Sequence, residues 1–352
     1  MYPKVRIKLN HYAHNVNHLL EILHHQNISM MAVSKVFCAD PHLIEVLNHT
    51  TVDFIADSKI ENLKKIETHK SKVLLRIPQL SEVIDVVKYA DISLNSELEV
   101  IYALNGAARR ENKLHSIILM FDIGDLREGI YYKEGFLLTV ERILALDHIH
   151  LKGIGTNLTC YGGVIPTEET LLKLEKIKYE IETAFSIHLE IISGGNSSAL
   201  PMIFNQQMEP WMNNVRLGEA LVLGRETAYG TPIPEMYDDV FILEAEIIEL
   251  KIKPSMPEGL LGYDAFGNKV SFKDEGIMTR AILGVGRQDV DPKDLIPIED
   301  LRILGGSSDH LIVDLQNTTH KLGDILSFKL TYGGILRLMT SPYVRRAYDN
   351  QV

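Results

Sequence analysis

Lys35 closes the apolar run Met30-Met31-Ala32-Val33-Ser34, and after Val36-Phe37-Cys38-Ala39 the chain turns at Asp40-Pro41 into a helical pattern. A lysine at the carboxyl end of a buried strand is expected to be held rigidly and partly desolvated. That lowers its pKa and frees its amine to attack a carbonyl. The competing reading is an amine that snorkels to solvent. Two further segments bear on the choice. Ser193-Gly194-Gly195-Asn196-Ser197-Ser198 follows another apolar run and opens a helix. Its glycines let successive N–H groups converge, its serines add donors, and a helix N-terminus adds positive potential, which is what a phosphate group needs. Alone, such a loop also reads as a turn. Arg216-Leu217-Gly218 ends the next apolar run. Gly218 permits a close backbone approach that completes an anion cradle, and Arg216 either points to the same place or pairs with Glu219 on the surface. An attacking amine, a phosphate cradle and a nearby cation together describe a pyridoxal-phosphate site.

These residues need a scaffold, and the chain supplies a regular one. Residues 4–9 read as a strand, and Asn10 reads as the N-cap of a helix running to about His25. From Met30 onward, short runs rich in Val, Ile and Leu recur at 30–34, 52–56, 73–77, 91–94, 117–122, 151–156, 189–193 and 214–217. Helical patterns lie between them at 41–48, 59–67, 80–89, 98–112, 132–146, 167–185 and 197–204. Alternation of this kind predicts parallel strands with helical crossovers, and about eight units close a (β/α)8 TIM barrel. An open doubly wound sheet is the alternative, but no GxGxxG opens the first unit. Polar residues mark the strand ends: Lys35, Asp57, Arg76, Asn95, Asp122 with Arg127, Thr156-Asn157, Ser193 and Arg216. In a barrel these ends share one face, where the chemistry sits. After Gly230 the texture changes: Thr231-Pro232-Ile233-Pro234 reads as a linker, followed by strand-like pieces between Gly, Asp and Pro turns. The expected organisation is an α/β barrel over residues 1–235 and a mainly β domain over 236–352.

Composition narrows the setting. A length of 352 residues fits one large domain and a smaller one, and the net charge of -11 argues against nucleic acid or an anionic membrane as partner. Two cysteines, Cys38 and Cys160, exclude a disulfide framework and fit a reducing, cytoplasmic location. No run approaches the roughly 20 apolar residues of a membrane span, and no signal-peptide core follows Met1. The histidines show no metal-ligand spacing, so no metal is expected.

Across essentially its whole length the sequence resembles the alanine racemase-like family, fold type III of the pyridoxal-phosphate enzymes. Ala32-Val33-Ser34-Lys35 resembles the Schiff-base segment. Asp122-Ile123-Gly124-Asp125-Leu126-Arg127-Glu128-Gly129 resembles the stretch whose arginine reaches the cofactor's phenolic oxygen. Residues 193–198 resemble the phosphate loop, and Arg216-Leu217-Gly218 the element whose arginine faces the pyridine nitrogen. Ser308-Asp309-His310 is similar to a motif of the second domain, and Tyr343 matches a phosphate-binding tyrosine. The wording around Val36-Phe37-Cys38, Asn157–Gly163 and Ser307–His310 resembles the ornithine racemase branch. The resemblance implies a homodimer in which the second domain of one subunit completes the other's site. It implies cofactor contacts from Lys35, Arg127, Ser193, Gly194, Asn196, Ser197, Arg216, Gly218 and Tyr343.

Departures from the family pattern matter as much. Arg287, in Gly286-Arg287-Gln288-Asp289, stands where the family has its second-face tyrosine base, and arginine is a poor base. Ala39 replaces another tyrosine, Met120 stands where some members have a carbamylated lysine, and Cys160 stands where alanine racemases have a histidine. Lys35 is expected to serve one face of the substrate as acid and base. Cys160 is the candidate for the other, if a cation such as Arg287 lowers its pKa; a small buried hydrophobe is its alternative, and Asp309 and His310 are the other candidates. Arg287 is expected to clamp a substrate carboxylate, and Asp309 or Glu128 to accept a basic side chain such as that of ornithine or lysine. The alternatives are an alanine racemase with an altered second base, a non-catalytic pyridoxal-phosphate homeostasis protein, and a fold type III decarboxylase or aldolase.

Overall fold

A computed structural model describes residues 1–349 apart from Glu209 and Ala265. Its strands in chain order are β1 (Lys4–Lys8), β2 (Ser29–Val33), β3 (Phe54–Asp57), β4 (Ser71–Leu74), β5 (Ile92–Asn95), β6 (His115–Asp122), β7 (Ile130–Tyr131), β8 (Ile149–Gly155), β9 (Ile191–Ser193) and β10 (Asn214–Leu217). They continue with β11 (Phe241–Pro254), β12 (Ile277–Leu283), β13 (Leu295–Pro297), β14 (Arg302–Gly306), β15 (Leu311–Asp314), β16 (Ile325–Leu330) and β17 (Arg345–Asp349).

Among the described residues, eight parallel strands close on themselves in the order β2-β3-β4-β5-β6-β8-β9-β10, with β10 returning to β2 at Arg216↔Met31. Most of these strands are buried along their length, which is why they read as apolar runs and not as alternations. Side chains such as Met31, Val33, Ala56, Val73, Ile118 and Met120 pack into one interior cluster. Gly153 sits at a register shift between β6 and β8, where a Cβ would lie 1.9 Å from the Ile191 carbonyl oxygen. The barrel is thus a filled core with its chemistry confined to the strand ends.

Three local expectations shift. Asn10 lies inside the helix Leu9–His25 and does not cap it, because the helix begins directly from β1. The pattern over 59–67 yields only Ile60–Leu63, and that over 132–146 only Leu137–Leu144. The division between units also moves: residues 11–238 form one compact unit, and 1–10 with 239–352 form the other. The reason is pairing, since β1 runs antiparallel to β11 (Val5↔Leu243) and parallel to β17 (Val5↔Arg346).

The second unit orders its sheet β13-β16-β11-β12-β15-β14, with β1 and β17 attached through β11. It carries one helix that the sequence pattern hides, Tyr332–Thr340. Thr331 Oγ1 caps it by accepting the Gly334 N–H at 3.3 Å and donates to Asp294 at 2.7 Å. Gly333 and Gly334, which weaken the helical signal, sit where a Cβ would come within about 3.0 Å of Asp294. No helix among the described residues is long and apolar enough to cross a membrane.

One buried group makes the barrel acid-sensitive. His115, 2% exposed at the start of β6, meets Ser93 Oγ at 2.8 Å, and burial lowers its pKa from 6.5 to about 4. The unfolded chain therefore takes up this proton near pH 6.5 while the folded chain does so only near 4, and stability is lost as pH falls through that window. The expected loss is about 3 kcal/mol. Denaturant midpoints of the parent and of His115→Gln between pH 7 and 4 check it: the parent should fall more steeply, and equal slopes would refute the assignment.

Candidate active site

The turn after β2 holds Lys35 by backbone geometry. The Ser34 carbonyl accepts the N–H groups of Phe37 (3.2 Å) and Ala39 (3.3 Å), and Cys38 and Ala39 both adopt left-handed φ of 54° and 53°. Two successive non-glycine residues there are unusual and mark a tightly specified turn. Ser34 is itself fixed, donating to Asp57 Oδ2 at 2.6 Å from the next strand end. Burial pushes the Asp57 carboxyl up, against its hydrogen bonds from Ser34, Lys59 and Asn62. Beyond the turn, Asp40 accepts the His42 N–H at 3.1 Å and, with Pro41 in the first turn, starts the helix Pro41–Asn48.

β10 runs beside β2 and places Arg216 in the barrel wall, 5% exposed. Its guanidinium donates to Ser193 Oγ and to the Thr156 carbonyl, each at 2.5 Å. The surface pairing with Glu219 does not occur; Glu219 binds Arg225 instead. Burial lowers the Arg216 pKa to about 10, with Glu128 and Cys160 pulling the other way. Ser193, expected as a phosphate ligand, directs its hydroxyl inward: it donates to Asn214 Oδ1 at 2.7 Å and accepts from Arg216. Its part is therefore to orient Arg216.

The loop after β9 has the form of a cradle. Gly195 takes φ +131°, and at Gly194 a Cβ would overlap the Met212 sulfur. Asn196 Oδ1 accepts the Ser198 N–H at 2.8 Å, and Ser197 Oγ accepts the Ala220 N–H at 3.3 Å. Gly218 packs against Val33, where a Cβ would stand 3.2 Å from the Val33 Cβ. Two hydroxyls at these strand ends, Ser198 Oγ and Thr156 Oγ1, are buried without a protein partner. Orphaned buried hydroxyls beside a glycine loop are what a bound anion satisfies. The residues present therefore fit a phosphorylated cofactor. The β2 end that carries Lys35 lies two strand spacings from this loop, about 10 Å.

A second cluster joins the loops after β6 and β8. Asp122 accepts the Gly124 and Leu126 N–H groups, and the chain returns at Gly129, whose φ of +121° lets β7 pair alongside Phe121 and Asp122. Arg127 pairs bidentately with Glu128, which also accepts from Asn157 at 3.0 Å. Burial alone would raise Glu128, but Arg127, Asn157 and Arg216 hold it below the ordinary carboxylate range. Cys160 is exposed; its Sγ lies 3.5 Å from Asn157 Oδ1 and accepts from Asn196 Nδ2 at 3.2 Å. Although the residue as a whole is exposed, its sulfur sits between Asn157 and Asn196, and the loss of hydration there pushes the thiol pKa up, against Arg127 and Arg216, where a lowered one was expected. Arg127 and Arg216 are the cations that lower it in part.

The remaining sequence candidates lie together in the other unit. Arg287 and Gln288 donate their N–H groups to the Ser307 and Ser308 carbonyls, both at 2.9 Å, which sets the Gly286–Asp289 turn beside Asp309. The Arg287 side chain lies 4.9 Å from the Phe266 ring centre and donates to the Gly306 carbonyl at 3.1 Å. Asp289 accepts from Ser341 Oγ at 2.5 Å, and Ser341 Oγ accepts the Tyr343 N–H at 3.1 Å, so Tyr343 is tied to the same turn. Ser308 and His310 hold the exposed Asp309 carboxyl below its ordinary range. Sequence reasoning included Ser198 only as one of the donors of the 193–198 loop and Thr156 only as a polar strand end, and it gave Asp125 no role, since nothing in the sequence shows the amides that gather on it.

Comparison with known proteins gives a consistent pattern. Residues 7–226 match the family described as alanine racemase, N-terminal domain. The chain is 48% identical over 350 residues to an ornithine racemase of Acetoanaerobium sticklandii, covering 98% of this chain and 99% of that one. It is 37% identical over 357 residues to a lysine racemase of Thermotoga maritima, covering both chains fully (100% each). Among solved structures, an alanine racemase from Bartonella henselae with covalently bound pyridoxal phosphate superposes with a TM-score of 0.73 at 18% identity, covering 99% of this chain and 100% of that one.

Proposed function

Because the chain belongs to the alanine racemase family, we propose that it is a pyridoxal-phosphate-dependent racemase that interconverts the enantiomers of ornithine. The observation that carries the substrate is the end-to-end identity of 48% to an ornithine racemase. Lysine is the second candidate, on the 37% identity to a lysine racemase. When bound, pyridoxal phosphate draws off the electron pair left at Cα as the α-hydrogen departs. Lys35 would bond its aldehyde carbon. Ser197, Ser198 and the amides of Asn196 and Gly218 would hold its phosphate together with Tyr343, Arg127 would hold its ring oxygen, and Arg216 would face its ring nitrogen; the Gly194 amide, expected at the phosphate, donates instead to the Asn214 carbonyl at 3.0 Å.

The protein's own groups then manage the protons. Lys35 Nζ takes the α-proton on one face, and Cys160 Sγ–H returns one on the other. The raised thiol keeps its proton through neutrality, so activity that depends on it is lost only as pH rises through the elevated pKa. Arg287 binds the substrate carboxylate and Asp309 its distal ammonium, both supplied by a second copy of the chain in a homodimer. Two cysteines and no disulfide between them fit a cytoplasmic location.

Solvent deuterium exchange at Cα over ornithine, lysine and alanine, followed together with optical rotation, tests this reading. Ornithine is expected to exceed alanine by about 100-fold or more in kcat/KM, because alanine lacks the distal ammonium and leaves the carboxylate meant to pair with it without a partner. A protein that binds pyridoxal phosphate yet exchanges nothing would be a carrier, and release of CO2 would make it a decarboxylase. Either outcome overturns the proposal.

A further inference from the structure

Asp125 is 1% exposed, although it belongs to a loop. Its Oδ1 accepts the N–H groups of Thr159 and Val164, both at 3.0 Å, and its Oδ2 those of Cys160 (3.1 Å) and Tyr161 (2.9 Å). Its backbone carbonyl takes the Gly162 N–H at 3.0 Å. One residue of the β6 loop therefore collects five amides from a single six-residue stretch after β8. We propose that Asp125 is a positioning residue that fixes Cys160 at the barrel mouth, so that its thiol meets Cα from the face opposite Lys35. This rests on the reading of Cys160 as the second proton donor.

The geometry favours placement over mere anchoring. Tyr161, the tip of the stretch, remains 77% exposed, so the clamp does not bury the loop to build core. What it fixes is the position of Sγ between Asn157 and Asn196, the residues that link Glu128 to the phosphate cradle. Burial alone would raise the Asp125 carboxyl, but the amides hold it below the ordinary range, so it stays ionised at neutral pH. An asparagine there would turn an NH2 group toward two amide donors.

Asp125→Asn tests this, and Gly162→Ala tests it from the other side, since a Cβ on Gly162 would lie 2.6 Å from the Asp125 carbonyl oxygen. A displaced thiol leaves proton exchange on the Lys35 face intact. In both variant holoenzymes, racemisation is expected to fall about 100-fold while α-deuterium exchange without inversion, for one enantiomer, stays within about threefold. Iodoacetamide should alkylate Cys160 faster than in the parent, as read by peptide mass with Cys38 as internal reference. Exchange and racemisation that decline in proportion would indicate a purely structural role and overturn the proposal, as would an unchanged alkylation rate. Cys160→Ser that racemises at the parent rate would instead remove the thiol's role on which the proposal rests, whatever the alkylation result.

Discussion

Lys35→Ala is expected to lower racemisation by about 10,000-fold or more, with the barrel intact. Lys35 is only partly buried, and the turn that carries it is held by groups the substitution leaves in place: the Ser34 carbonyl, the Ser34 hydroxyl on Asp57, and the Asp40 cap. The loss is therefore one of chemistry and not of fold. Lys35→Arg separates the two parts of the amine's role. The guanidinium keeps the positive charge but neither attacks a carbonyl nor gives up its proton near neutrality. It is expected to be as inactive as the alanine variant. Optical rotation and the near-visible absorbance of the bound cofactor read both properties, alongside a thermal midpoint. A Lys35→Ala protein that racemises within tenfold of the parent, or that keeps the parent absorbance, would show the lysine assignment to be mistaken.

Lys35 was legible because it ends a run, and the same logic accounts for most of the barrel. A strand buried on both faces is a short block of Val, Ile and Leu, and each block stops where the chain reaches the polar mouth, so Arg216 and Ser193 announce themselves by position. What stayed hidden depends on partners far away in the chain. β1 reads as a strand, but nothing in Val5-Arg6-Ile7 says that it pairs with Phe241–Leu243 and not with the barrel. The helix Tyr332–Thr340 is masked by two glycines whose reason is Asp294, a contact across the fold. Asp125 looks like a solvated loop acid until the amides of residues 159–164 are brought to it. Ser193 and Arg127 were assigned outward by resemblance, whereas Asn214 and Glu128 take up part of their hydrogen-bonding capacity. Periodicity reports burial well, but it carries no information on which buried polar atom meets which.

Arg216 gives the second large effect, and the choice of replacement separates its charge from its shape. The guanidinium spans Ser193 Oγ and the Thr156 carbonyl, and through Ser193 it joins Asn214, whose Nδ2 donates to Ser29 Oγ at 2.9 Å in the strand that leads to Lys35. Lysine cannot fork to both acceptors, so Arg216→Lys leaves one buried group unpaired at a cost of about 1–3 kcal/mol. The same burial that brings Arg216 down to about 10 would bring a lysine, which starts lower, toward neutrality. Its charge, and the activity that depends on it, should then be present at low pH and lost as pH rises through that shifted value. Arg216→Met keeps the bulk without the charge. Replacing a buried ion by an apolar side chain often leaves stability within about 2 kcal/mol, yet activity should fall about 100-fold or more. The cation also restrains the Cys160 thiol, so in Arg216→Met the pH at which iodoacetamide begins to modify Cys160 should move up. Parent-level activity in Arg216→Lys from pH 6 to 9, or an unmoved alkylation profile in Arg216→Met, would mean that the buried guanidinium serves the wall of the barrel and not its chemistry.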